Sequence, residues 1–204
     1  MGDVIYFKGR LLDLVRSGVK TSTVRLTDPK VPSWANLERI EASTYVFTTS
    51  HWRGTAATRY TPGQILSVPE PWRCIDANIA DRCITVEFRD GVKETVTFSS
   101  LERFAKFEKY VRKGKSWQSP YFLPKEAYRL QLVVEICCIR RIQDMIYNDI
   151  VREGYNPEVN SGVTPAQWMA RTWDMCLSEE QKRLFMFHDN PWVEHTEFHV
   201  LSKG

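Results

Sequence analysis

Apolar positions change period several times along this chain, and each change predicts an element. Leu11, Leu12, Leu14 and Val15 fall on one side at helical spacing, which predicts a helix over 10–17. Gly18 fits the residue just past its end, where glycine takes a left-handed conformation readily. Residues 4–7 predict a first short strand, 20–26 a strand or a turn plus strand, and 65–68 an apolar strand after the Pro62-Gly63 turn. The β-rich runs 83–88 and 94–98 flank Arg89-Asp90-Gly91-Val92, and the Asp-Gly pair predicts a hairpin. Over 99–113 the period turns helical, with Ser99 or Ser100 as cap and Gly114 as stop. Leu101, Phe104, Phe107, Glu108 and Val111 mark one side of this helix; Arg103, Lys106, Lys109 and Lys113 mark the other.

The second half reads in the same way. Residues 129–138 form the longest strand candidate, apolar enough to predict a central strand covered on both faces. Asp144 can cap a helix running through Glu153 and closed by Gly154. Thr164-Pro165 opens another, with Trp168, Met169, Thr172, Trp173 and Cys176 as its stripe. Residues 178–187 add a helical turn or two, and a last strand spans 193–201. Residues 27–60 hold Pro29, Pro32, Trp34, Tyr45, Phe47 and Trp52, with one strand at 42–49. So many aromatics argue for an insertion packed on the core, not a disordered linker. A helical insertion covers 99–125. Strands mixed irregularly with helices predict an α+β fold, a single domain over 1–204 with a small barrel as its core.

Composition narrows the setting. With 204 residues and 43% apolar content the chain can bury a sizeable core. A net charge of +3 does not by itself announce a nucleic-acid binder. There is no apolar leader and no run of about 18 apolar residues, so neither secretion nor membrane spanning is expected. The five cysteines include no C-x-x-C pattern and read as reduced thiols of a cytoplasmic protein. His195 and His199 lie four apart in a predicted strand, without a zinc-ligand pattern, and read as structural histidines. No metal or other cofactor is expected.

Two stretches carry candidate chemistry. Gly18–Arg25 (GVKTSTVR) packs Lys20, Thr21, Ser22, Thr23 and Arg25 together. Two cations and three hydroxyls this close can hold an anion or the polar edge of a base, or they form a solvated strand edge. The second stretch interleaves Arg103, Lys106, Lys109, Arg112, Lys113, Lys115, Lys125 and Arg129 with Trp117, Tyr121 and Phe122. Cations can follow a phosphate backbone while aromatic faces stack bases, at about 1–3 kcal/mol per base. The alternative is an amphipathic helix with a solvated basic face.

Gly-x-Lys-Thr-x-Thr-x-Arg after a short N-terminal helix resembles the opening motif of the ASCH domains, relatives of the PUA fold. Residues 60–68 (YTPGQILSV), Pro69-Glu70-Pro71-Trp72, and Asn190-Pro191-Trp192-Val193 leading to Thr196-Glu197-Phe198 are similar to further family motifs, in order. The resemblance implies a PUA-like small β-barrel decorated by helices, and a phage or bacterial type of member. It implies a polar cleft for RNA or a modified nucleobase or nucleotide, lined by Lys20, Thr21, Thr23, Arg25, Glu70, Trp72 and Glu153. Some family members are metal-independent amidohydrolases of N4-acylated cytidines, which implies Lys20, Thr23 and Glu153 as the catalytic set. Lysine would then activate the threonine hydroxyl, Glu153 would orient Lys20 or pass on the proton, and Arg25 would lower the lysine's pKa or bind the oxyanion. Side chains alternate along a straight strand, so Lys20 and Thr23 can converge only across a bend. Val19, Gln64 and the two prolines around Glu70 depart from the family pattern. Ribonuclease activity is a further implied possibility. A different reading makes 27–60 a protein-docking surface, marked by joint exposure of Trp34 and Trp52.

Overall fold

The computed structural model describes residues 4–112 and 116–201, with Arg112 described by its backbone. Lys113, Gly114 and Lys115 lie outside the described residues. In chain order the elements are α1 (Arg10–Arg16), β1 (Ser22–Leu26), β2 (Asn36–Glu41), β3 (Thr44–Thr48), β4 (Arg53–Ala57), β5 (Ile65–Val68), β6 (Trp72–Asn78), β7 (Cys83–Phe88), β8 (Lys93–Thr97), α2 (Leu101–Arg112), β9 (Leu130–Arg141), α3 (Tyr147–Arg152), α4 (Pro165–Cys176), α5 (Glu179–Phe185) and β10 (Trp192–Leu201). This is a mixed α and β chain with antiparallel sheets. The strands form sheets ordered β1-β10-β9-β5, β2-β3-β4 and β6-β7-β8, and none closes into a barrel among the described residues. No helix among them is long and apolar enough to cross a membrane.

The chain divides into two compact units, neither of them continuous in sequence. One comprises 1–8, 66–132 and 201–204; the other comprises 9–65 and 133–200. In the first, β6, β7 and β8 form a meander. The predicted hairpin is present, with Phe88 N–H bonded to Val92 O at 2.9 Å and Gly91 at positive φ. The inward residues Trp72, Cys74, Ile84, Val86, Phe88 and Val96 pack with Phe104 and Tyr110 of α2 into one core. Residues 4–7 do not form a strand; only a bridge from Val4 to Ser67 is made.

In the second unit β1 pairs antiparallel with β10, in register from Ser22↔Glu197 to Leu26↔Val193. One core gathers Ile150, Met169, Trp173, Phe185 and Val193 of α3, α4, α5 and β10, with Ile142 and Tyr155 from the connections on either side of α3. Another joins Tyr45, Phe47 and Ala56 of the β2-β3-β4 sheet to Ile139 and Trp192. The stretch 27–60 therefore holds three paired strands, of which the sequence predicted only the central one. Trp34 is exposed, whereas Trp52 is partly buried and lies over Gly54, where an added Cβ would meet its ring at 2.3 Å. The two tryptophans thus do not form a joint exposed patch.

The strand covered on both faces is not the one expected. β9 alternates buried Leu130, Leu132 and Val134 with exposed Gln131 and Glu135, and Ile136 is exposed as well. Consecutive residues of β10 from Trp192 to Phe198 are all buried, although four of them are polar. α3 starts at Tyr147, later than an Asp144 cap predicts. The Asp149 carboxylate accepts from Ile146 N–H at 3.0 Å and does the capping. α4 begins as predicted, with Thr164 and Gln167 bonding each other's backbone.

Candidate functional site

The Gly18–Arg25 segment is threaded between the end of α3 and strand β10. α1 ends, Gly18 turns at positive φ, and Lys20 N–H returns to Leu14 O at 2.9 Å. Thr21 then bridges: its N–H donates to Arg152 O, and its carbonyl accepts from Phe198 N–H, both at 2.8 Å. Held this way, Lys20 turns inward and is only 2% exposed. Its ammonium donates to the Glu153 carboxylate through Oε2, and to the Glu153 backbone carbonyl at 3.2 Å. Ser22 Oγ donates to Glu153 Oε1 at 2.7 Å. Gly154 follows at positive φ, and a Cβ there would lie 2.9 Å from Leu14 Cδ1.

Lys20 and Glu153 are thus brought together, but Thr23 is not part of their set. Ser22 faces Glu153, so its neighbour Thr23 faces the other side of the strand, opposite Thr196. No bend between residues 20 and 23 overcomes the alternation. The hydroxyl beside Glu153 belongs to Ser22, a residue absent from the predicted set.

The two faces of β1 and β10 carry different polar groups. On the Ser22 face lie Glu197 and His195 of β10, with Asp149 of α3. Arg152 donates to Glu197 Oε2 at 2.7 Å and Arg140 to Asp149 Oδ2 at 2.9 Å. His195 is buried, and burial holds its pKa below the ordinary value against the pull of Glu153, Asp149 and Glu197. Asp149, His195 and Glu197 each bring one potential ligand atom within 4.8 Å of the others. His199, by contrast, is exposed and paired with Glu135 at 2.8 Å.

On the Thr23 face Arg25 stands opposite Glu194 in the register. Glu194 Oε1 accepts from Arg59 N–H at 3.0 Å and from the Cys137 thiol at 3.3 Å. Burial pushes the Cys137 thiol up to about 12, and that of Cys74 to about 11. The thiolate is the reactive form. At pH 8 a disulfide reagent is therefore expected to label exposed Cys176 rapidly, and Cys137 and Cys74 only on unfolding. Fast labelling of Cys137 in the native chain would contradict this environment.

The other predicted residues lie in the first unit, and their surroundings correct their roles. Glu70 is 1% exposed and accepts two bonds from Arg129, at 2.5 and 3.1 Å. Arg129 also bonds Asp90 at 2.6 Å and lies 4.0 Å from the Phe88 ring centroid. Glu70 is therefore no cleft anchor and Arg129 no free phosphate ligand. Trp72 has no exposed surface and meets Tyr110 edge-on at 5.1 Å. It is a core residue, not a stacking platform. On α2, Arg103 is held by Glu126 at 2.7 and 2.9 Å, and Lys106 pairs with Glu102 at 3.1 Å. Lys109 lies over Tyr110, and Lys113 is outside the described residues. The guanidiniums of Arg73 and Arg89 lie 5.1 and 5.4 Å from the Trp117 ring centroid, and exposed Tyr121 stacks on Tyr6.

No protein-family model matches this chain, and neither does any curated protein or solved structure.

Sequence reasoning left Ser22 out of the catalytic set, read His195 as structural and gave Asp149 and Glu197 no role at a site. A signal was present in β10. Glu194, His195, Thr196 and Glu197 run consecutively between apolar Val193 and Phe198. A strand with polar residues on both faces, in an apolar frame, has to find partners for all of them.

Proposed function

We propose that this chain is an ASCH-type, PUA-like domain that takes up a modified nucleobase or nucleotide beside the Gly18–Arg25 segment. The observation that carries this reading is the convergence of Lys20 and Ser22 on Glu153, 133 and 131 residues away. A carboxylate and an ammonium side by side present an acceptor and a donor. An amide-like base edge, with an amino group next to a carbonyl, offers the complementary pair. Thr21, partly exposed, and Arg152, about half exposed, are the surface neighbours of this buried pair in the chain. Contact with an RNA backbone along α2 draws less support, because Arg103, Lys106 and Arg129 already have carboxylate partners.

The test is calorimetric titration of the full chain with cytidine and N4-acetylcytidine. Saturable binding is expected for one or both, weakened at least ten-fold in the Lys20→Met/Glu153→Leu pair, whose fold is checked by circular dichroism. No binding at millimolar nucleoside, or equal binding by the folded double variant, would remove the proposal.

A second reading, hydrolysis of an N4-acylated cytidine, is favoured by the Ser22 hydroxyl lying 2.7 Å from Glu153 on the carboxylate that also holds Lys20. Ser22 Oγ attacks the acyl carbonyl, its proton passes to the Lys20–Glu153 pair, and the amine leaves with a proton. Water then hydrolyses the acyl-enzyme to the carboxylic acid and free Ser22. Loss of the N-acyl chromophore is followed by ultraviolet absorbance. Ser22→Ala is expected to abolish it and Thr23→Val to leave it. The reverse pattern would return the role to Thr23 and contradict this geometry.

A further inference from the structure

Asp149 on α3 and His195 and Glu197 on β10 lie 48 residues or less apart in sequence but are joined only by the fold. His195 and Glu197 are two apart on one strand and so share a face. One ligand atom from each of the three side chains lies within 4.8 Å of the others, and all three residues are buried. His195 is 1% exposed, and its Nε2 has no hydrogen-bond partner. A buried imidazole nitrogen in that position has given up water for nothing in exchange. The carboxylates are each held by one oxygen only. Asp149 Oδ2 accepts from Ile146 N–H at 3.0 Å and Arg140 at 2.9 Å; Glu197 Oε2 accepts from Arg152 at 2.7 Å. Asp149 Oδ1 and Glu197 Oε1 carry no hydrogen bond among the described residues.

We propose that Asp149, His195 and Glu197 bind one divalent transition-metal cation, of the Mn²⁺ or Zn²⁺ class. One imidazole with two carboxylate oxygens is a donor set such ions accept. Ligands at about 2.0–2.2 Å from a common ion lie within about 4.4 Å of one another, so small side-chain rotations close the site. Arg140 and Arg152 orient the carboxylates through their other oxygens, the arrangement that outer partners of a metal ligand provide. The site is independent of nucleobase binding: none of its three ligands contacts a nucleobase in that reading.

The test uses the untagged full chain, stripped with EDTA and titrated calorimetrically with MnCl₂ and ZnCl₂. One ion per chain is expected, with binding weakened about 100-fold or more in His195→Ala and in Glu197→Gln, and unchanged in His199→Ala. A folded wild-type chain that takes up no ion at millimolar concentration overturns the proposal. So does undiminished binding by folded His195→Ala, or loss of binding in His199→Ala, which would mark a surface site. Should the His195 and Glu197 variants not fold, pulsed electron resonance of Mn²⁺ on the wild-type chain decides. Coupling to an imidazole nitrogen supports the site, and an oxygen-only shell overturns it.

Discussion

Lys20→Met is expected to lower the unfolding free energy by about 3–5 kcal/mol, measured by urea denaturation at neutral pH. The reason is asymmetry. Lys20 and Glu153 are both buried, and removing the lysine leaves a carboxylate without its ion partner in a site that water barely reaches. Ser22 alone, with one neutral hydroxyl bond to Oε1, does not replace an ammonium. Adding Glu153→Leu to Lys20→Met is expected to recover most of the loss, because apolar groups of similar size need no partner. Two results would contradict the pair as described: a loss under about 1 kcal/mol for the single variant, or a double variant no more stable than the single one. The same cycle serves the functional question, since it yields a folded chain without the Lys20–Glu153 pair.

Trp72→Ala is expected to cost about 3–5 kcal/mol, the range for emptying a buried aromatic site. Trp72 is enclosed by the β6-β7-β8 sheet and α2, and Phe107 and Tyr110 meet it edge-on at 6.5 and 5.1 Å. Its Nε1 has no hydrogen-bond partner, so Trp72→Phe gives up no such bond and is expected to cost much less. A residue that stacks a ligand behaves in the opposite way: its loss weakens binding and leaves folding nearly intact. A small stability change for Trp72→Ala, together with lost nucleoside binding, would therefore restore the stacking role that its burial argues against.

These two positions show what was legible in the sequence. Several local signals are present in the structure, although the strand expected at 4–7 and the Asp144 cap are not. The Asp-Gly hairpin, the Thr164-Pro165 helix start, the α1 stripe and the helical period of α2 rest on neighbours within a few residues, and all are present. The pairing of Lys20 with Glu153 is an expectation from the resemblance alone; no pattern of periodicity reveals it. The other misreadings are tertiary. Apolar runs suggested that β9 is the doubly covered strand. Its neighbours instead cover β10, whose Glu194, Thr196 and Glu197 look like solvent residues until Arg59, Arg152 and Cys137 supply partners, and whose His195 is buried without one at Nε2. Glu70 and Trp72 occupy a motif that suggests a cleft, but Arg129, 59 residues on, holds Glu70 inside, and Phe107 and Tyr110 of α2 enclose Trp72. Thr23 was separated from Lys20 by strand alternation, a rule available beforehand but set against a motif that needed the two together.

The interleaving of 1–8, 66–132 and 201–204 with 9–65 and 133–200 has a practical consequence for anyone dissecting the gene. No single stop codon or new start yields either unit by itself. The unit bearing Lys20 and Glu153 requires an internal splice that joins residue 65 to residue 133. The unit bearing Trp72 and Arg129 is one contiguous stretch apart from its two terminal tails. Deletion of 66–132, and not truncation, follows this division, and it cuts through β5 and β9.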